Sequence, residues 1–134
     1  ELGKGVLLRD GKDVTIIATG LMVQEALKAY DILKVEGIDA KVINIHTIKP
    51  IDKDIIINAA KETKAIVTAE EHSIIGGLGS AVLEVLSDEY PVPVKRVGVM
   101  DTFGESGKPA DLLKKYKLTA DEIVVKTKEV LKLK

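Results

Sequence analysis

The chain has 134 residues and 14.5 kDa. That is the size of one domain, able to bury roughly 65–70% of the surface its unfolded form exposes. Twenty basic residues, of which only Arg9 and Arg96 are arginines, against twenty-one acidic ones leave a net charge of −1. With aromatics at 3%, this excludes the clustered basic face and the stacking platforms that nucleic-acid recognition requires. Cysteine is absent, which removes disulfides, thiolate zinc sites and cysteine nucleophiles.

No apolar run approaches the roughly 18 residues of a membrane span and no signal segment opens the chain, so a cytoplasmic protein without membrane contact is expected. The chain begins with Glu1 rather than methionine and reads as a piece of something longer.

Gly5–Leu8 is a short apolar run, followed by Arg9-Asp10-Gly11-Lys12-Asp13 and a β-branched run, Val14–Ala18. An Asp-Gly between two such runs predicts a hairpin, with the first two strands as antiparallel neighbours. Gly20 ends the second strand. Met22, Val23, Ala26, Leu27, Tyr30 and Leu33 then recur at helical spacing up to Gly37, a good residue to follow a helix. Ala40–Ile45 is the next strand. Asp52 caps a helix that buries Ile55, Ile56, Ala59 and Ala60.

Ala65–Ala69 is continuously apolar, as a strand covered on both faces should be. EEHSIIGGLGSAV, residues 70–82, follows as a loop leading into a helix with Leu78, Val82, Val85 and Leu86 inward. Pro91-Val92-Pro93 breaks that helix before a fifth strand, Lys95–Met100. A last helix opens on the capping box Thr119-Ala120-Asp121-Glu122 and buries Ile123, Thr127, Val130 and Leu131. Strands alternating with helices of this length require right-handed crossovers. The expected fold class is α/β, a three-layer α/β/α sandwich around a five-stranded, mostly parallel sheet with one antiparallel strand. DTFGESGK, residues 101–108, is a long polar irregular stretch and the place to expect a contact outside the domain.

Ligands of an open parallel sheet gather beyond the carboxyl ends of its strands. There the chain places Thr19-Gly20, His46-Thr47, Glu70-Glu71-His72 and Asp101-Thr102. A dinucleotide reading of Gly77-x-Gly79-x-x-Val82 lacks the third glycine and follows the fourth strand rather than the first. The bland alternative is that Gly76, Gly77 and Gly79 form a sharp strand-to-helix turn. A metal or acid/base reading would gather Glu70, Glu71, His72, His46 and Asp101, but adjacent residues of an extended segment point opposite ways, and no H-E-x-x-H spacing occurs. A phosphoacceptor receiver needs acids where the chain has Ala18-Thr19-Gly20, and no G-x-S-x-G elbow surrounds Ser73 or Ser80. The residues by themselves describe an α/β domain without a convincing active site.

Four segments carry a resemblance: DVTIIATGLMVQEALKA, VINIHTIKPID, EEHSIIGGLGSAV and DTFGESGKPADLLKKYKLTADEIVVKTKEVL. In this order they resemble the C-terminal domain of transketolases over nearly the whole chain, and Phe103–Gly107 (FGESG) is the most specific part. Deoxyxylulose phosphate synthase and the beta subunits of 2-oxo acid dehydrogenases are similar in the sheet and glycine loop but differ after the fifth strand.

The resemblance implies a parent enzyme that moves a two-carbon ketol unit between sugar phosphates, using thiamine diphosphate and a divalent metal such as magnesium. It implies that these are held in other domains and that residues 1–134, one non-catalytic domain, serve assembly and homodimer contacts. The partners implied are a preceding pyrimidine-binding domain and an N-terminal subunit, because the E-E-H-S segment looks closer to two-gene transketolases. No catalytic, cofactor-binding or metal residue carries over. His46, Glu71, His72, Asp101, Phe103, Glu105 and Ser106 stand as a candidate interface or ligand rim, a small-anion or regulatory site being the other reading.

Overall fold

The computed structural model describes residues 3–73, 76–99, 114 and 117–134. Five strands form one sheet in the order β1-β3-β2-β4-β5: β1 Val6–Arg9, β2 Val14–Ala18, β3 Ala40–Asn44, β4 Ile66–Ser73 and β5 Val94–Val99. β1 is antiparallel to β3, and the remaining pairs are parallel. The described helices are α1 Met22–Val35, α2 Lys53–Thr63, α3 Leu78–Glu89 and α4 Ala120–Leu131. None of them is long and apolar enough to cross a membrane.

The central strands are apolar on both sides because each side meets a helical layer. Ile16 and Ala18 of β2, with Val67 and Ala69 of β4, pack toward α1 and α4, together with Met22, Ala26, Leu33, Ile123 and Val130. Ile17, Ile43 and Ile66 point the other way and pack with Ile56 and Ala60 of α2 and Leu78, Val82 and Leu86 of α3. This period-two division of apolar residues fixes strand register, because a slip of one residue would exchange the two cores. It is the α/β/α sandwich that the element pattern predicts, with its single antiparallel strand.

The helix ends are set locally. α1 stops at Gly37, whose φ of +80° lets Ile38 N–H bond Leu33 C=O and Gly37 N–H bond Lys34 C=O, closing the last turn. Asp52 caps α2 through Ile55 N–H at 3.3 Å, and its other oxygen accepts Gly5 N–H at 2.9 Å. Thr119 accepts Glu122 N–H at the start of α4. Thr127 bonds Ile123 C=O inside that helix, whereas Leu131 is only partly buried.

The expected β1–β2 hairpin does not form, since β3 lies between the two strands. Gly11 is not in the left-handed region that a tight Asp-Gly hairpin needs. Its role is proximity. A Cβ there would lie 2.3 Å from the carbonyl carbon and oxygen of Ala40, because the connection crosses the amino end of β3 in contact with its backbone. Asp13 and Asp39 pin the crossing, Asp39 N–H bonding Asp13 Oδ2 at 2.7 Å and Lys12 N–H bonding Asp39 Oδ2 at 3.1 Å. Lys41, on β3, is buried beside it and bonds Asp10 at 2.5 Å and Glu62 at 3.1 Å.

Candidate functional site

The rim at the carboxyl ends of the strands is organised by β4. The strand does not end at Ala69. It runs on through Glu70, Glu71 and His72 to Ser73, so that the sequence-predicted loop is half strand. Against β5 it bulges: Ala69 pairs with Val97 and Ser73 with Val99, so the intervening residues have too few partners on the neighbouring strand. A bulge at a sheet edge re-aims side chains. Here the two glutamates, pointing to opposite faces, each find a helix.

Glu70 is completely buried. Its Oε1 accepts Leu78 N–H at 2.8 Å and its Oε2 accepts Gly79 N–H at 2.7 Å. These are donors of the first turn of α3, which no preceding turn can satisfy. Gly77, the residue before that turn, has no side chain to cap with, so the acceptor has to come from elsewhere. A carboxylate also opposes the partial positive charge at the helix start. Gly79 allows the fit: a Cβ there would sit 2.9 Å from Arg96 Cδ and 3.1 Å from Thr68 Oγ1. Thr68 itself is buried, and its hydroxyl has no hydrogen-bond partner among the described residues.

Glu71 turns to the other layer. Both its oxygens approach Leu21 N–H, at 3.4 and 3.3 Å, where α1 begins without a side-chain cap of its own. Gly20, with φ +60°, makes room, because a Cβ there would collide with Glu71 Oε1 at 2.0 Å. A further carboxylate completes the pattern: Glu25 of α1 accepts Ala120 N–H, the first of α4, at 3.0 Å. All four described helices thus open against an acidic side chain of the same chain: Glu71 for α1, Asp52 for α2, Glu70 for α3 and Glu25 for α4. The sequence reading of Asp52 and Thr119 found local caps. Glu70, Glu71 and Glu25 act from distant positions, and the only sequence signal for the first was a helix start at Gly77 with no capping side chain.

The candidate rim residues fare differently from one another. His46 follows β3 and is exposed. His72 lies on β4, as does Glu71. Asp101, Phe103, Glu105 and Ser106 lie outside the described residues. Gly76 (φ +76°) and Gly77 form the turn into α3, and Gly79 lies in its first turn. Among the described residues no three His, Cys, Asp or Glu side chains are grouped to hold a metal ion. A cleft of about 280 Å³ between the β3–α2 connection and α3 is walled by Ile48, Ile51, Lys53, Ser80 and Glu84 among others, its charged residues standing at the solvent-exposed surface.

A thiamine diphosphate site asks for a metal-bound diphosphate and an acid against the aminopyrimidine. The described donor set does not fit it, because the helix ends that could receive phosphate oxygens already hold carboxylates.

Comparison with known proteins agrees with the fold. The transketolase C-terminal domain family matches residues 3–123. A 6-deoxy-6-sulfo-D-fructose transketolase subunit of Clostridium sp. (strain MSTE9) is 53% identical over 99% of this chain and 41% of its own length. The 1-deoxy-D-xylulose-5-phosphate synthase of Heliobacterium modesticaldum is 45% identical over 96% of this chain and 20% of its own. A solved structure described as a split gene transketolase, inactive beta4 tetramer, superimposes with a TM-score of 0.95 at 54% identity, covering 100% of this chain and 44% of that one. The chain therefore spans less than half the length of these proteins. With its sheet order, its two cores and this match along nearly its whole length, the chain belongs to the transketolase C-terminal domain family.

Proposed function

We propose that this chain is the C-terminal domain of a split-type transketolase subunit, a single-domain piece of a longer protein. In this reading the parent transfers a two-carbon ketol unit between sugar phosphates, with thiamine diphosphate and magnesium held by its other domains. Residues 1–134 contribute packing and dimer contacts, with His46, Glu71, His72 and the 101–106 segment facing a neighbouring domain or subunit. The observation that carries the non-catalytic reading is the closure of the helix N-termini by the chain's own carboxylates. Identity to the split-gene structure, at 54%, exceeds the 45% to the deoxyxylulose phosphate synthase and favours the transketolase branch.

Isothermal calorimetry of the 134-residue chain with thiamine diphosphate and Mg²⁺ tests this. The expected result is no saturable heat and no ketol transfer from the chain alone. Saturable binding in the micromolar range would sink the proposal. Homodimerisation is tested by sedimentation of the longer parent, where a strictly monomeric parent contradicts the assembly role.

A further inference from the structure

We propose that the amino end of α3 is an anion cradle permanently filled by the chain's own Glu70, and that shortening Glu70 turns it into a site for a small free carboxylate. The position is the one where a strand, a glycine-rich turn and a helix commonly take up a phosphate. Here the two backbone donors, Leu78 N–H and Gly79 N–H, converge on a carboxylate supplied from within, at 2.8 and 2.7 Å. Ligand and donors are cut off from solvent, Glu70, Leu78 and Gly79 all being buried.

A second feature points to the same place. Thr68, two residues before Glu70 on β4, is 0% exposed and its hydroxyl is unpartnered among the described residues. It lies against the first turn of α3, 3.1 Å from where a Cβ of Gly79 would be. A buried hydroxyl normally finds a partner, so this one is a spare donor in the cradle wall. The aliphatic stem of Arg96 covers the same glycine, Cδ and Cγ lying 2.9 and 3.2 Å from that Cβ position. The native carboxylate is tethered through its own side chain to β4; a free one is not, and can settle where it meets the hydroxyl as well as the two N–H groups.

In the native protein the consequence is exclusion. A phosphate approaching this turn meets a filled cradle of like charge, so the domain is closed to phosphate at this glycine-rich turn, whose sequence resembles a phosphate loop. This holds whatever reaction the parent performs. Glu70→Ala removes a CH₂ and a carboxylate, the equivalent of acetate, and leaves a space of that shape with its donors unpaired.

The test is thermal unfolding of the native chain, Glu70→Ala, Glu70→Gln and Glu70→Ala/Thr68→Val at constant ionic strength, with chloride exchanged for acetate, formate or phosphate. Native melting temperatures should show only the gradual, non-saturating drift that exchange of one anion for another gives any protein, and each variant is read against it. Glu70→Ala should melt lower in chloride and recover saturably in acetate, by about 4–7 °C at tenfold saturation. Glu70→Gln, whose amide keeps the space filled, should not respond. The double variant should need more acetate for half its recovery. If Glu70→Ala does not fold in chloride, the yield of refolding in acetate against chloride replaces the melting temperature. Indifference of Glu70→Ala to acetate in both readouts overturns the proposal, as does a saturable response of the native chain to phosphate.

Discussion

The carboxylate of Glu70 and the backbone N–H of Gly79 meet at 2.7 Å with no solvent between them, joining the end of β4 to the start of α3. Next to it in sequence, Glu71 reaches α1 on the opposite face of the sheet. Two consecutive acids thus tie both helical layers to one strand, and they do so with bonds of unequal quality.

That inequality gives a mutational prediction. Glu70→Ala leaves two buried N–H groups without a partner and should cost about 2–4 kcal/mol of stability. Glu71→Ala removes two long contacts at an exposed helix start and should cost about 0.5–1 kcal/mol. Urea midpoints of the two variants measure this, and equal losses would contradict the distinction.

Glycine substitutions should rank by what the new Cβ meets. At Gly79 the nearest atom belongs to the flexible, exposed side chain of Arg96, so Gly79→Ala should cost about 1 kcal/mol. Gly79→Val adds branches toward Thr68 and should cost about 3 kcal/mol. Gly11→Ala should also approach about 3 kcal/mol, because the obstacle at 2.3 Å is the Ala40 backbone, which cannot rotate away. Chemical denaturation of the three variants checks the order; a Gly11→Ala protein as stable as the parent would remove the crossing contact from the account.

The unpartnered hydroxyl of Thr68 predicts a neutral or favourable substitution. Thr68→Val keeps the shape and the β-branching while removing a buried polar group that has no hydrogen-bond partner among the described residues. Stability should be unchanged or rise by up to about 1 kcal/mol. A loss beyond about 1 kcal/mol, read from the same denaturation curves, would show that the hydroxyl has a partner in solution.

Lys41 sets a pH dependence at both ends of the scale. Burial pushes the Lys41 ammonium down, but hydrogen bonds to Asp10 and Glu62 and their charges outweigh it, so its pKa is raised. The hydrogen bond from Lys41, then that from Gly11, holds Asp10 below the usual carboxylate range. A raised lysine favours the folded state below its unfolded value of about 10.4, and loses that contribution as pH climbs through the folded value. A lowered carboxylate favours it above about 3.9, and loses that as pH falls through the folded value. Denaturant midpoints from pH 2 to 12 should therefore fall at both extremes more steeply for the native chain than for Lys41→Met. Parallel profiles would disprove the coupling.

Much of the architecture was legible because it rests on local rules. β-branched runs gave the strands, helical spacing gave Ala26, Leu33, Ile56, Leu78, Val82 and Ile123 as buried positions, and Asp52 and Thr119 announced the helices they cap. The rim was legible only in part. Alternation along an extended segment separates Glu70 from Glu71, but nothing local says which helices they reach, since Leu21 lies 50 residues from Glu71.

The sequence by itself determined the α/β pattern and the two-face coverage of Ala65–Ala69, which follow from periodicity and residue type within short windows, while its four quoted segments carried the resemblance to the family. The tertiary structure alone decided that β1 pairs with β3 across the chain crossing at Gly11, that Lys41 is buried between Asp10 and Glu62, and that Glu70 closes the glycine turn. Each of these joins groups whose fit depends on distances across the sheet. An Asp-Gly turn and a glutamate after a strand are compatible with several partners, and only the packed chain selects one.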